Sequence, residues 1–388
     1  MTYDTTRRGF LSTGLALPVV GAVGKLGLFR SEKQSVEGTG PVKLDYRILG
    51  KTGLRVTTLG FGCMVTSDAS VITRAADLGI NYFDTARVYQ HGNNEKMVGA
   101  ALKEKRHQLV LSTKSPAADK VGALKDLDTS LKELGTDYVD IWYLHAKNAP
   151  GDVHDELIEA QQIVKKQGKI RFAGVSTHSG QKELLPWMAQ KDAWDVVLVA
   201  YNFTMDSGME QAVEAAAKSN LGVVAMKVMA GGFRSLKPQD PAYEKLHREG
   251  AMLSALKWTL KNKNVSTTIP SMTDMDQLEE NLKAMTQPFA AGDEKLLAAK
   301  LETIKPLYCR LCGECEGTCA KGLAIQDTLR FLTYAEGYGQ FALGRERFQE
   351  LPVAQKAMRC GDCEECTVKC RHGVAVAARM GRAQELFG

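Results

Sequence analysis

Between residues 55 and 271 the chain repeats one large-scale pattern of apolar and polar positions. Short, nearly unbroken apolar runs, RVTTLGFG, INYFDTA, QLVLSTK, VDIWYLH, IRFAGVS, VVLVAYN, GVVAMK and STTIPS, are separated by stretches with helical spacing, as in VHDELIEAQQIVKKQ. A strand open to water on one face alternates; continuous apolar runs suit strands covered on both faces. Eight such repeats predict an α/β fold, a (β/α)8 TIM barrel over residues 44–290 rather than an open sheet. Past Met285 the rhythm stops, and stretches such as IQDTLRFLTYAEGYGQF predict a small helical domain over 291–388.

The N-terminus has a different pattern. Arg7 and Arg8 precede Gly9-Phe10-Leu11 and the mostly apolar LALPVVGAVGKLGLF, an order that predicts an export signal over 1–30. The apolar stretch is too short and too Gly-rich for a comfortable membrane span, so membrane attachment is expected only if the signal is retained as an anchor. TTRRGFL with this stretch resembles a twin-arginine signal, which implies export in the folded state to the periplasm. The polar, Gly- and Pro-broken SEKQSVEGTGPV that follows predicts a linker over 31–43. With 388 residues, 44% of them hydrophobic and 24% charged, the rest can bury a sizeable core. The net charge of +5 is spread along the chain, which argues against a nucleic-acid partner and for small molecules or proteins.

Three successive runs end in an ionisable residue: Asp84, Lys114 and His145; Tyr89 follows the second run by five residues. Any one of these is ordinarily the chain meeting water. Together they bring an acid, a base, an imidazole and a phenol to the C-terminal rim, where such barrels do their chemistry. A buried ammonium beside a phenol is expected to lower the phenol's pKa, while a carboxylate keeps that ammonium charged and in place. Tyr89 could then pass a proton to or from a carbonyl or alcohol oxygen that His145 aligns. The hydride must come from a cofactor.

The cysteines form two cassettes, Cys309, Cys312, Cys315 and Cys319, then Cys360, Cys363, Cys366 and Cys370. Each is C-x2-C-x2-C-x3-C, a spacing that holds 4Fe-4S clusters, with the fourth thiolate serving the other cluster when two are paired. Proline is missing after both fourth cysteines, where Ala320 and Arg371 stand. Disulfides and zinc are the alternatives, although neither ordinarily repeats this spacing. Cys63, the ninth cysteine, is expected to be a buried small hydrophobe near the rim.

DTARVY, STK, LH and GVST, at these places in an eightfold barrel, resemble the aldo/keto reductase family from about Leu44 to Met285. The resemblance implies a catalytic tetrad of Asp84, Tyr89, Lys114 and His145, with a nicotinamide cofactor, NAD or NADP, lying across the rim. It places Ser176 near the carboxamide. Other positions depart from the family: Thr177 stands for Asn, Leu198 for Gln and Met226 for the aromatic that stacks on nicotinamide. The family's adenosine-binding segment is resembled by IPSMTDMDQLEEN, which ends at Asn281, but Ser271 and Gln277 stand where basic residues are usual. Lys227, closing the seventh run, could offset the pyrophosphate charge. The tail resembles the C-terminal module of the cluster-bearing subgroup, which implies a ferredoxin-like domain with two 4Fe-4S clusters.

Two functions fit. One is an oxidoreductase interconverting a carbonyl and an alcohol, with the clusters passing electrons to or from a partner protein. The other is an electron-transfer or cofactor-holding protein with little turnover and structural clusters. The intact tetrad favours the first; Leu198 and Met226 favour the second. Sugar, aldehyde and quinone-like carbonyls are all open as substrates.

Overall fold

A computed structural model of the chain describes residues 43–233, 250–361, 363 and 365–388. The expected signal over 1–30, and the expected linker except its last residue, lie outside the described residues. Eight parallel strands follow one another in chain order: β3 (Phe61–Gly62), β4 (Tyr82–Asp84), β5 (Val110–Ser115), β6 (Val139–Leu144), β7 (Ile170–Thr177), β8 (Val196–Ala200), β9 (Gly222–Met226) and β10 (Thr267–Thr268). A parallel bridge from Leu59 to Thr268 closes the ring, and the Gly60 amide donates to the Thr268 carbonyl at 2.7 Å.

The continuous apolar runs become these strands because both faces are covered. Tyr82, Val110, Ile141, Tyr143, Val196, Leu198, Val224 and Met226 fill the bore. Phe83, Leu111, Trp142, Leu144, Val197 and Val223, one position out of phase, pack under the surrounding helices. The first run behaves differently from the single strand expected of it. Its start, β2 (Arg55–Thr57), pairs antiparallel with β1 (Tyr46–Ile48), and only Phe61–Gly62 joins the barrel. The break follows from burial: Leu49 and Val56 of the hairpin plug the bore from below, and Thr58 donates its amide to Asp45.

The barrel and the segment after it belong to one compact unit, Val42–Gly388. Helix Ala291–Ile304 lies on helix Ala251–Lys261, where Asp293 accepts from Ser254 at 2.7 Å and pairs with Lys257 at 2.6 Å. Helices Ile325–Leu332, Phe341–Gln349 and Val376–Phe387 follow, sharing a core of Phe331, Leu332, Phe348, Ala383 and Phe387 against which Met64 of the barrel rim packs. A π-turn, Thr333–Gly337, continues the first of these helices and touches the loop after β9. Among the described residues no helix is long and apolar enough to cross a membrane.

The π-turn's approach depends on Gly337, where a Cβ would lie 2.5 Å from the Gly231 carbonyl oxygen and 3.1 Å from the Thr333 methyl. Backbone on one side cannot swing away as a side chain can. Gly337→Ala should therefore destabilise the chain by about 1–3 kcal/mol in thermal melts. Gly381→Ala is the control: its Cβ meets nothing within 4 Å, and it should be neutral or stabilising.

Candidate active site

At the rim, β4 and β5 pair so that Asp84 lies opposite Ser112. Ser112 Oγ donates to Asp84 Oδ1 at 2.7 Å, and Lys114 Nζ donates to Asp84 Oδ2, to the Thr85 carbonyl at 2.7 Å and to the Tyr89 hydroxyl at 3.3 Å. All three ammonium protons are thus used, in a side chain 1% exposed. Tyr89 opens a 3-10 turn whose next residues, Gln90 and His91, have left-handed backbone. Gln90 holds that turn by donating to the Thr66 carbonyl at 2.8 Å. His145 follows β6 and stands edge-on to Tyr89, ring centres 6.0 Å apart. The three strand-end residues and Tyr89 are therefore neighbours.

Above them lies a cavity of about 520 Å³, well within the size of small-molecule sites. Asp84, Tyr89, His145, Met226, Lys227, Ser271 and Gln277 line it, whereas Ser176 and Asn281 do not. Ser176 is fully buried and its Oγ accepts from the Ala146 amide at 3.0 Å. Asn281 is also buried, and neither end of its amide has a partner among the described residues. Gln277 folds back on its own helix cap, donating to Thr273 Oγ1 at 2.9 Å. Leu198 packs inside the bore, and Thr177 donates to the Ser179 carbonyl at 2.6 Å. Cys63 is fully buried in the barrel core, as expected, and is not a lining residue.

Much of the opposite wall was not foreseen. Arg330, Phe331, Tyr334, Tyr338 and Arg347 of the C-terminal segment face the tetrad across the cavity, and His178 joins from the end of β7. Helical spacing marked the segment, but nothing local in the sequence says which rim it covers. Lys227, with φ of +57°, carries its ammonium 5.3 Å from the Tyr334 ring centre and 5.8 Å from that of Tyr338. Its carbonyl and the Tyr308 hydroxyl both accept from Asn202 Nδ2, at 3.0 and 3.3 Å, which ties the β9 loop to the residue before Cys309.

The electrostatics correct one expectation. Burial pushes the Tyr89 phenol well above its ordinary value, Asp84 and Tyr334 add to this, and Arg347 opposes it. Burial outweighs the neighbouring Lys114 ammonium; it pulls that ammonium down and pushes Asp84 up, each offset in part by the other. Tyr89 is consequently a protonated acid at neutral pH. Tyr334 goes the other way: burial raises it, but Lys227, Arg330 and Arg347 together bring it below its ordinary value. His145 is held neutral by burial and by Lys114, Arg347 and Arg330; His178 by burial and by Lys227 and Arg330.

The cassettes pack against Leu323, Ile325, Leu329, Val368, Val374, Val376 and Met380. The Cys309 thiol, pushed up to about 12 by burial first, feels Cys315, Cys312 and Cys370. Cys360, raised by burial first, feels Cys366, Cys319 and Cys363. Cys370 is thus near enough to act on Cys309 and Cys315, and Cys319 on Cys360. Thr367 Oγ1 donates to the Thr318 carbonyl at 2.8 Å, holding the two fourth-cysteine loops together. Glu314 and His372, which sequence reading passed over, bring a carboxylate and an imidazole to within 4.8 Å of the Cys312 thiol.

A closed parallel barrel with ionisable residues and a cavity at its C-terminal rim is an enzyme scaffold. The Aldo/keto reductase family matches residues 65–302, and the chain belongs to that family, an oxidoreductase of its NAD(P)-dependent type. L-galactose dehydrogenase of Arabidopsis thaliana is 28% identical over 305 residues, covering 68% of this chain and 94% of the relative. L-glyceraldehyde 3-phosphate reductase of Escherichia coli K12 is 27% identical, covering 63% and 88%. The holo form of an aldo-keto reductase from Bacillus halodurans superposes with a TM-score of 0.58 at 27% identity, covering 66% of this chain and 96% of that one. The family match ends before the first cassette.

The two neutral imidazoles set a pH dependence. Their folded pKa values lie well below the ordinary 6.5, so below that pH the unfolded chain binds protons that the folded chain does not. Stability is thus full above about pH 6.5 and lost as pH falls toward the folded values. Melting temperatures measured from pH 7.5 to 5 should decline, and the double variant His145→Gln, His178→Gln should decline less steeply; an unchanged slope would count against this origin.

Proposed function

We propose that the chain reduces a carbonyl compound at the barrel rim, with Tyr89 as proton donor. The convergence of Asp84, Tyr89 and His145 on one cavity, with Lys114 behind them, carries this reading. Tyr89 gives its proton to the carbonyl oxygen as that oxygen gains charge, and Lys114 steadies the phenol from behind. A neutral His145 offers one N–H to the same oxygen, which fixes its position. A nicotinamide, when bound, supplies the hydride.

The residues present fit that cofactor. Asn281 has an amide with both ends unpartnered among the described residues, suited to the donor and acceptor edge of an adenine. Ser176 retains a hydroxyl proton with no acceptor among the described residues. Segment Ser271–Asn281 has four carboxylates, Asp274, Asp276, Glu279 and Glu280, and no Arg or Lys, so it favours NAD over the 2′-phosphate of NADP. The two thiol sets fit 4Fe-4S clusters: Cys309, Cys312 and Cys315 with Cys370, and Cys360, Cys363 and Cys366 with Cys319. Bound there, the clusters would serve as one-electron carriers toward a redox partner protein. With the twin-arginine-like start, this makes a periplasmic enzyme whose cofactor is loaded before export.

A second reading rests on one observation: both cassettes pack against the helix that carries Arg330 and leads into Tyr334. Clusters held there would brace the cavity wall, whatever their redox role.

Tyr89→Phe should lower carbonyl reduction by about 10²–10⁴-fold while NADH binding by calorimetry is retained; unchanged turnover refutes Tyr89 as the acid. Cys363→Ser, purified anaerobically, should lose iron, sulfide and the broad visible absorbance. A colourless wild-type protein holding zinc would overturn the cluster assignment.

A further inference from the structure

Three cations meet on one side of the cavity. Arg330 and Arg347 belong to the C-terminal segment, and Lys227 to the loop after β9. Each guanidinium has a carboxylate, and both acids are more exposed than the arginines they pair with, although Glu350 also lines the cavity. Asp327 accepts from Arg330 at 2.7 Å with 46% of its side chain exposed, and Glu350 accepts from Arg347 at 2.9 Å with 53% exposed. The arginine side chains themselves are only 17% and 24% exposed. Arg330 Nε is buried and without a partner among the described residues. Lys227 has no carboxylate within ion-pair distance among them; its ammonium lies over two aromatic rings instead. The other cavity-lining carboxylate, Asp84, is already taken by Lys114.

A half-buried cation with unused donors is costly to leave alone and strongly bound by an incoming anion. We propose that the carbonyl substrate carries an oxyanion group, carboxylate or phosphate, and that Arg330, Arg347 and Lys227 bind it; this rests on the reductase reading above. The Tyr334 hydroxyl, in the same wall, makes no hydrogen bond to any described residue, and His178 Nδ1 is buried without a partner among them. They are two further polar groups for the same ligand. Arg347 and Tyr89 both line the cavity, so the anion site and the proton donor share one space. Rings of Phe331, Tyr334 and Tyr338 around the cations leave room for an apolar substrate body.

The test compares matched carbonyl pairs on the full chain with NADH: phenylpyruvate against phenylacetone, and dihydroxyacetone phosphate against dihydroxyacetone. The anionic member of at least one pair should have the higher kcat/KM and bind more tightly by calorimetry, and the pair that discriminates identifies carboxylate or phosphate. In Arg330→Gln and Arg347→Gln that preference should fall about tenfold, and Arg330→Lys should recover part of it. If Arg330→Gln does not fold, Arg347→Gln, whose ion pair is at the surface, carries the test. Equal kcat/KM for both members of both pairs overturns the anion site and leaves the reductase reading standing. Reduction of no pair, with the anion still preferred in calorimetry, does the reverse. Variants that weaken NADH binding but leave the preference intact assign these cations to the cofactor and overturn the proposal.

Discussion

The site depends on keeping one ammonium, that of Lys114, out of water. A cation this buried is tolerated only if each proton has an acceptor, and removal of one partner from such a pair typically costs about 3–5 kcal/mol. The acceptors come from three places: Asp84 at the end of β4, the Thr85 carbonyl just after it, and the Tyr89 hydroxyl one turn further. They meet Lys114 only because β4 and β5 pair in parallel with Asp84 against Ser112. The strand register that closes the barrel is therefore also what aims the phenol. Stability and chemistry are coupled through the same four atoms.

A second constraint is the wall opposite. An aldo/keto reductase barrel presents its rim upward, and here the rim is faced by helices that also carry the cysteine cassettes. The contact is close, backbone on backbone at Gly337 and Gly231. Its electrostatic effect is seen in the shifts: burial is the leading cause for Tyr89, His145 and His178 alike. With water largely removed, charges on Arg330, Arg347 and Lys227 act over longer distances than they would at a surface. The residue before the first cassette and the β9 loop of the rim are joined physically through Tyr308, Asn202 and the carbonyl of Lys227.

What could be read beforehand was whatever is written locally. Apolar runs fixed seven of the strands closely, and the rim residues followed because a strand's last residue must emerge at its C-terminal end. The first run misled because period and composition do not distinguish a strand that plugs the bore from one that lines it; Leu49 and Val56 make that choice by what they bury against. His178 lies one residue beyond GVST, and nothing in its sequence neighbours marks it as a site residue. Arg330, Tyr334 and Arg347 were invisible as site residues because their partners are more than a hundred residues away in sequence. The Tyr89 shift was read with the wrong sign for a related reason: spacing shows that a lysine is near, whereas the extent of burial emerges only once the wall is in place.

The two phenols on the cavity now have opposite tendencies, and this bears on the direction of the chemistry. Tyr89, raised by burial and by Asp84, keeps its proton until a neighbouring oxygen becomes basic enough to take it. Such an acid is suited to carbonyl reduction; alcohol oxidation needs the phenolate, which this environment opposes. The charge on Arg347 works the other way. An anion bound to Arg347 would cancel that charge and raise Tyr89 further, so that the proton is released only as negative charge develops on the carbonyl oxygen. Substrate charge and acid strength would then be linked through a single guanidinium, and a neutral carbonyl of the same shape would meet a phenol with its proton held less firmly and no anchor for its far end.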